Sequence, residues 1–571
     1  MPKTTEDILT ECVKYLKKES TFCVDLETTG LNPREDKIRG VAIGTEKRQW
    51  YLRTVGDEAI PIITLKKALA PIFLDLDKIC VMHNGKFDIK FLKANDWDLN
   101  CKLGDTMILA FLLDDNRSGT GRLTLKGKGG LVDELFNIVL ETWEESELAG
   151  GLFGKPEDVY AKQDAEYTMK CWKKLTRQLA SYPEIKKFFW EVAMPTVRVL
   201  ADIENAGMRV DVEYLERYEH VVSEEAQDLE RRIIEALGKS VNVGSTEQLS
   251  KLLFEDPDGI RLQPKPWMKQ GKNGCYSTAE SVLSLYAQES PACQMILDWR
   301  AKNKLVSTYI SPFRKLAVSN PENRIYCSLL QCGTKTGRLA SRSPNLQNIP
   351  QYRGGDWGMR KAFVAPPGKK LVVSDFSQLE LRIMAHRSQD KAMLEIYKSG
   401  GDIHQNTQDA LGLGKKDRTV AKAANFGLIY GLSAQGLKEN LWNQARLAKT
   451  LEECQQWRYG FFKAYPGIQI YHEKVENFMK KRGYTLTLAG RRRRVKEEME
   501  RDYGYAYRMA LNCTIQGCLD KDAPILTESG YVPLKEVTGH KIFDGEKFTN
   551  NFTLHNVGRK DGICVTLEDH R

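Results

Sequence analysis

The sequence predicts an α/β multidomain protein that closes with a small all-β segment, and three observations support this. Short apolar runs that stop at acids recur, as in TFCVDL at residues 21–26 and LVVS at 371–374 before Asp375; a buried strand delivers side chains to a site in this way. Helical periodicity dominates from about 185 to 310 and from 387 to about 480. After residue 517 the pattern changes to strand-like runs separated by turns at Ser529-Gly530 and Asp544-Gly545. A chain of 571 residues has room for several cores, roughly 3–4 domains by length.

Composition excludes several classes. Hydrophobic residues at 42% with 28% charged are ordinary for a water-soluble chain, and no apolar run approaches the ~20 residues of a membrane span. The amino terminus, MPKTTEDILTECVKYLKK, lacks the apolar core of a signal peptide. Thirteen cysteines without a CxxC pair argue against a zinc site and a disulfide framework. The expected compartment is a reducing cytoplasm, with no membrane partner. A net charge of +9 is weak evidence for nucleic acid. More specific is the run Arg491–Arg494 before Lys496, which follows a glycine turn and reads either as a solvated face or as a phosphate-gripping loop.

The elements follow in order. Strands are expected at 21–26, 38–43 and 78–82. Asp25 and Glu27, two apart on the first of them, face one side. Asp88 lies in HNGKFD; Tyr160 and Asp164, four apart in YAKQDAEYT, share a helical face. Four such carboxylates suit two divalent cations about 3.5–4 Å apart, the arrangement that activates water and cleaves a phosphodiester. Oxygen-only ligands favour Mg²⁺ or Mn²⁺ over zinc, and Tyr160 is placed to orient the water. The ordered set DxE, NxxxD, YxxxD resembles the 3′–5′ exonuclease domains of the DEDDy type, over about residues 20–170. The resemblance implies an RNase H-like fold.

A second constellation begins at Asp375 in DFSQLELR, an acid at a strand end suited to a metal that also holds a nucleotide triphosphate; the Phe376 carbonyl is a further candidate ligand. In RTVAKAANFGLIYG, Arg418, Lys422, Phe426 and Tyr430 recur every fourth residue and form one helical stripe roughly 18 Å long. Two cations followed by two aromatics suit a ligand with phosphates at one end and a base at the other. The alternative is a solvated basic turn followed by a core-facing aromatic turn.

Together these motifs, with TKTGRLASRSPNLQNIP at 334–350, resemble family A DNA polymerases over about residues 20–517. The resemblance implies a right-hand polymerase: exonuclease at 1–180, thumb at 185–320, first part of the palm at 321–385, fingers at 386–500 and a returning palm helix at 501–517. It implies Asp375 as a metal ligand and Glu380, near Gln378, as the gate against a ribose 2′-OH. Arg418, Lys422, Phe426, Tyr430 and His404 would hold the incoming dNTP, and Phe426 in place of tyrosine implies discrimination against dideoxynucleotides. Arg338, Asn345, Gln347, Arg508, Asn512 and Gln516 would meet primer–template DNA. Two Mg²⁺ or Mn²⁺ ions are implied in each active site. The chain starts at the exonuclease, as in phage-type replicative polymerases. No HDE-type motif follows Gly517 to supply the second polymerase carboxylate, and Asp520 and Asp522 lie too close to IQG to replace it.

Residues 518–571 open with CLDKDAPILT and continue G…PLKEV, which resembles the amino-terminal block of Hint-fold inteins. Strands are expected at 524–527, 531–534, 541–543 and 563–567. A Cys518 thiolate would attack the Gly517 carbonyl to form a thioester. Thr566 and His570 stand at a TxxxH spacing rather than the TxxH of a second block. Three functions follow: a polymerase precursor completed by trans-splicing with a C-terminal polypeptide that carries the rest of the intein and palm; a stand-alone 3′–5′ exonuclease; or a DNA-binding remnant of a truncated gene.

Overall fold

The computed structural model describes the chain except residues 1–3, 57–58, 143–156, 267, 272, 321, 351–357, 372, 374–375, 377, 415–417, 446, 517–523, 528–529, 534–541, 544–547, 550–551, 557–562 and 568–571. The backbone forms two compact units: residues 1–203, 330–340 and 377–571, and residues 204–329 and 341–376.

The first unit holds a five-stranded sheet of β1 (Thr21–Thr28), β2 (Ile38–Gly44), β3 (Gln49–Arg53), β4 (Ile79–Met82) and β5 (Lys102–Asp105), in the order β3-β2-β1-β4-β5. β1 pairs antiparallel with β2 and parallel with β4, so it is central. Phe22, Cys23 and Val24 are fully buried, as a strand covered on both faces requires. The expected strands at 21–26, 38–43 and 78–82 are present. β3 and β5 escaped the sequence reading: QWYLR follows a charged turn, and KLGD is too short to show a period.

Helices α1 (Thr5–Leu16), α2 (Ile62–Phe73), α3 (Lys86–Ala94), α4 (Thr106–Leu113), α5 (Leu131–Phe136) and α6 (Glu157–Leu179) complete this region. α6 buries Tyr160, Ala161, Asp164, Ala165, Thr168 and Trp172 at helical spacing. It packs close to the sheet: a Cβ on Gly44 would stand 2.8 Å from Cys23 Sγ and 3.1 Å from Ala165. The Cys23 thiol donates to the Ala165 carbonyl at 3.1 Å.

Further along the unit, α7 (Leu379–Ser388), α8 (Ile403–Ala410), α9 (Arg418–Ile429), α10 (Pro466–Arg482) and α11 (Tyr503–Gln516) share an apolar core that includes Leu381, Met384, Ala424, Leu428, Ile468 and Leu511. A two-stranded antiparallel pair, β6 (Tyr484–Leu486) and β7 (Arg492–Arg494), follows α10.

β7 corrects one expectation. The arginine run is neither a solvated face nor a phosphate loop. Arg493 is 2% exposed, and its guanidinium reaches Asp115 at 2.9 Å, Asn116 at 3.0 Å and Glu498 at 2.9 Å. Arg492 and Arg494 donate to the Leu113 carbonyl at 2.8 and 2.9 Å. Arg491 donates to the Lys335 carbonyl at 3.0 Å and lies over the Phe111 ring. Guanidinium, with five donors in a planar fork, is the side chain able to satisfy so many buried acceptors.

In the second unit the 26-residue helix Val212–Leu237 is capped by the Asp211 side chain on Tyr214 N and ended by Gly238 at φ 71°. Two apolar clusters, one around Leu253, Tyr286 and Ile296 and one around Leu215, Ile310 and Phe313, form its interior. The strand expected at 371–374 is not formed by the residues described there: Leu371 and Val373 lie outside any strand, and Val373 is 92% exposed. Among the described residues no strand pairs with Leu371 or Val373.

Beyond α11, strands Pro524–Thr527, Gly530–Pro533, Ile542–Phe543 and Phe548–Thr549 form one sheet, and Phe552–Asn556 pairs with Ile563–Leu567. The expected strand character of 518–571 is present. Gly517, Cys518, Asp520, Asp522 and His570 lie outside the described residues. Among the described residues no helix is long and apolar enough to cross a membrane.

Candidate active sites

β1 presents Asp25 and Glu27 on one face, and α6 brings Asp164 to them. Carboxylate oxygens of the three lie within 4.8 Å of one another. Asp88, in the first turn of α3, accepts a hydrogen bond from Leu26 N at 3.0 Å, which fixes it against the strand between the other two acids. The turn that delivers Asp88 is built by Asn84 at φ 60° and by Asp105, which accepts from Gly85 N at 2.8 Å. Asp105 also caps α4 through Met107 N at 2.9 Å and Ile108 N at 3.1 Å. It is therefore a structural acid.

Burial of so much like charge raises every member of the cluster. Desolvation, then Asp164, Asp88 and Glu27, hold Asp25 well above the usual carboxylate range. Glu27 is raised to about 7 by burial and by Asp164, and Asp88 to about 8, chiefly by burial. Asp164 is raised to about 6 by burial, against the pull of Lys126. Buried carboxylates that repel one another are stabilised by a cation of high charge density. With oxygen donors only, the set fits Mg²⁺ or Mn²⁺.

One residue at this site had no sequence signal. Lys126 is buried, with its Nζ 2.6 Å from Asp164 Oδ1 and 3.1 Å from the centroid of the Tyr160 ring. Its sequence context, LTLKGKGG, looks like an ordinary basic loop.

The stripe on α9 lies on the open side of the helix. Arg418 and Lys422 are exposed and Phe426 and Tyr430 half-buried, while Ala421, Ala424, Asn425 and Leu428 face the interior. Phe426 and Tyr430 stack with centroids 6.3 Å apart. Phe426 and Tyr430 also pack against the apolar core, so the alternative of a solvated basic turn followed by a core-facing aromatic turn describes part of what is seen. Arg418 pairs with Asp402 at 2.6 Å. His404, in α8, is buried with Nδ1 3.0 Å from the Asn425 amide, and burial lowers its pKa.

Glu380 is bound from two sides, by the Tyr430 hydroxyl and by the Arg338 guanidinium. Gln516, at the end of α11, also interacts with Tyr430, whose pKa is raised by burial and by the Glu380 carboxylate. Gln378 takes a left-handed backbone at φ 54° and accepts from the Tyr397 hydroxyl at 3.1 Å. Arg508 lines a cleft with Leu432, Ser433, Gly436 and Asn440, and Asn512 Oδ1 is buried without a hydrogen-bond partner. Asn345 and Gln347 are exposed in the second unit. Phe376 is 54% exposed in that unit, and Asp375 lies outside the described residues.

A buried acidic cluster on a mixed sheet and a basic–aromatic stripe on a helix are thus the two candidate sites. Residues 212–519 match DNA polymerase family A, and residues 2–180 match a 3′–5′ exonuclease family. The chain belongs to DNA polymerase family A. It is 33% identical to DNA polymerase I of Chloroflexus aurantiacus over 89% of this chain and 54% of that protein. It is 32% identical to DNA polymerase I of Treponema pallidum over 88% of this chain and 49% of that protein. The chain thus spans about half the length of the curated relatives it matches. Its structure is similar to the POL domain of Pol1 from M. smegmatis in complex with DNA primer-template and dNTP, with a TM-score of 0.74, 26% identity, and coverage of 89% of this chain and 85% of that one.

Proposed function

We propose that the chain processes DNA 3′ ends, with a 3′–5′ exonuclease joined to the nucleotide-holding part of a template-directed DNA polymerase. The observation that carries the reading is the meeting of Asp25, Glu27 and Asp164 oxygens within 4.8 Å on buried elements. Asp25, Glu27, Asp88 and Asp164 hold two Mg²⁺ or Mn²⁺ ions, which supply Lewis acidity toward the scissile phosphate and its attacking water. The Tyr160 hydroxyl orients that water.

In the polymerase site, Arg418, Lys422 and His404 bind the triphosphate of a dNTP, and Phe426 and Tyr430 pack on base and sugar. Glu380, held by Tyr430 and Arg338, blocks a 2′-hydroxyl, with Gln378 beside it. Arg338, Asn345, Gln347, Arg508, Asn512 and Gln516 contact primer–template DNA, and Asp375 with the Phe376 carbonyl holds metal. The open face of α9 and the order of the motifs support these roles. The test of the whole reading is Mg²⁺-dependent release of mononucleotides from a 3′-labelled single strand. Asp25→Ala is expected to abolish it, and persistence in that variant overturns the site.

A second reading concerns residues 518–571. The family A match runs only to residue 519, and the segment beyond is a set of short strands. It is read as the amino-terminal part of a Hint-type intein, whose remaining blocks lie on the same or a second polypeptide. The Cys518 thiolate adds to the Gly517 carbonyl; the C–N bond breaks, the Cys518 nitrogen takes a proton, and a thioester remains. An added small thiol should then release a 1–517 fragment, seen by mass, and Cys518→Ala should not release it.

A further inference from the structure

We propose that Lys126 is a positioning residue of the exonuclease site, a resident cation that holds Asp164 and Tyr160 in place and competes with divalent metal for Asp164. The inference rests on the exonuclease reading given above. Lys126 is 7% exposed, and an ammonium that deep is tolerated only beside an anion. Asp164 supplies it, with Oδ1 2.6 Å from Nζ, the length of a charge-assisted hydrogen bond. The ammonium thus occupies an oxygen of a carboxylate that would hold metal. The same ammonium sits 3.1 Å from the Tyr160 ring centroid, a cation–π contact that fixes the ring one helical turn before Asp164.

The loop is shaped to place this side chain. Thr124 Oγ1 donates to the Lys126 carbonyl at 2.9 Å, Leu131 N to the Thr124 carbonyl at 2.7 Å, and Gly127 N to the Leu140 carbonyl at 3.0 Å. Gly127 takes φ 84°. Gly130 passes so close that a Cβ would stand 2.4 Å from the Lys126 carbonyl oxygen. An ordinary basic surface loop needs none of these constraints.

Removing the ammonium makes the cluster more negative and frees Asp164, so metal binding should tighten while catalysis worsens. A residue that only filled space would, on truncation, weaken both. The test uses the full chain and reads Mn²⁺ binding by electron paramagnetic resonance alongside single-turnover 3′-end cleavage. In Lys126→Met, which keeps the volume, Mn²⁺ should bind roughly tenfold more tightly and the cleavage rate at saturating Mn²⁺ should fall roughly 10–100-fold. Lys126→Arg should return Mn²⁺ affinity to near the parent value. Unchanged or weaker Mn²⁺ binding in Lys126→Met, with a thermal transition like the parent's, overturns the proposal. A parent chain that neither binds Mn²⁺ nor loses cleavage in Asp25→Ala overturns instead the exonuclease reading on which it rests.

Discussion

The arginine strand β7 and the acidic cluster on β1 both bury charge in the same compact unit, and they do so with opposite results. Arg493 meets Asp115, Asn116 and Glu498 at 2.9–3.0 Å, so its charge is matched within the protein. Asp25, Glu27, Asp88 and Asp164 are all raised above the usual carboxylate range, because the chain's own cations compensate them only in part. Matched buried charge builds the fold. Unmatched buried charge is a demand for a ligand from outside.

The largest expected effect tests the unmatched side. Asp25→Ala should lower 3′-end cleavage by roughly 10²–10³-fold or more, the scale of losing a principal charge-stabilising group, with the thermal transition unchanged or raised because one repelling carboxylate is gone. A lowered transition would make the cluster structural and dissolve the contrast with β7.

Next comes the matched side. Arg493→Met leaves Asp115 buried without its cation and should cost about 3–5 kcal/mol of stability, measured by denaturant unfolding. The double variant Arg493→Met with Asp115→Leu should recover most of it, since an apolar pair can replace a buried ion pair. If the double variant is as unstable as the single one, the hydrogen bonds from Arg493 to Asn116 and Glu498 matter more than the ion pair.

These two regions were unequally legible in the sequence. DxE on a strand and YxxxD on a helix carry their geometry in their spacing, so Asp25, Glu27, Tyr160 and Asp164 could be placed before any fold was known. Asp88 could be named, but its attachment to Leu26 N depends on the turn held by Asp105. Lys126 could not be found, because nothing in LTLKGKGG distinguishes a buried lysine from a solvated one. The arginine run misled for the same reason: four like charges read as surface until their partners, about 380 residues earlier in the chain at Leu113 and Asp115, are known. The strand expected before Asp375 is not seen at Leu371 and Val373, the residues described there: a strand forms only against a neighbour, and local sequence does not show whether one is there.

A pH series should separate the two kinds of burial with a smaller signal. Glu27, Asp88 and Asp164 have folded-state values of about 7, 8 and 6, against ordinary values of 4.5, 3.8 and 3.8. The folded state therefore binds more protons than the unfolded one between about pH 4 and pH 8. The contribution of these groups is present below pH 4 and is lost as pH rises through 6–8. In chelator, Asp88→Asn should lose less stability than the parent across that window, and added Mg²⁺ should flatten the parent's curve. An equal slope in both proteins would mean that Asp88 is ionised throughout.

The smallest effect concerns charge that is not buried. The Arg418–Asp402 pair is 2.6 Å apart, but Arg418 is 54% exposed, and such pairs contribute about 0–1 kcal/mol. Arg418→Met should therefore leave unfolding within ~1 kcal/mol of the parent while weakening dNTP binding, measured by fluorescence of a labelled nucleotide. High salt should narrow the gap between the two proteins, because screening weakens phosphate contacts made at an exposed site. Arg418 and Arg493 are the same residue type under opposite rules: at the surface the guanidinium is available to a ligand because folding does not depend on it, and in the interior folding depends on it and no ligand can reach it. An Arg418→Met variant that unfolds as easily as Arg493→Met would erase that distinction and make α9 a structural element rather than a binding face.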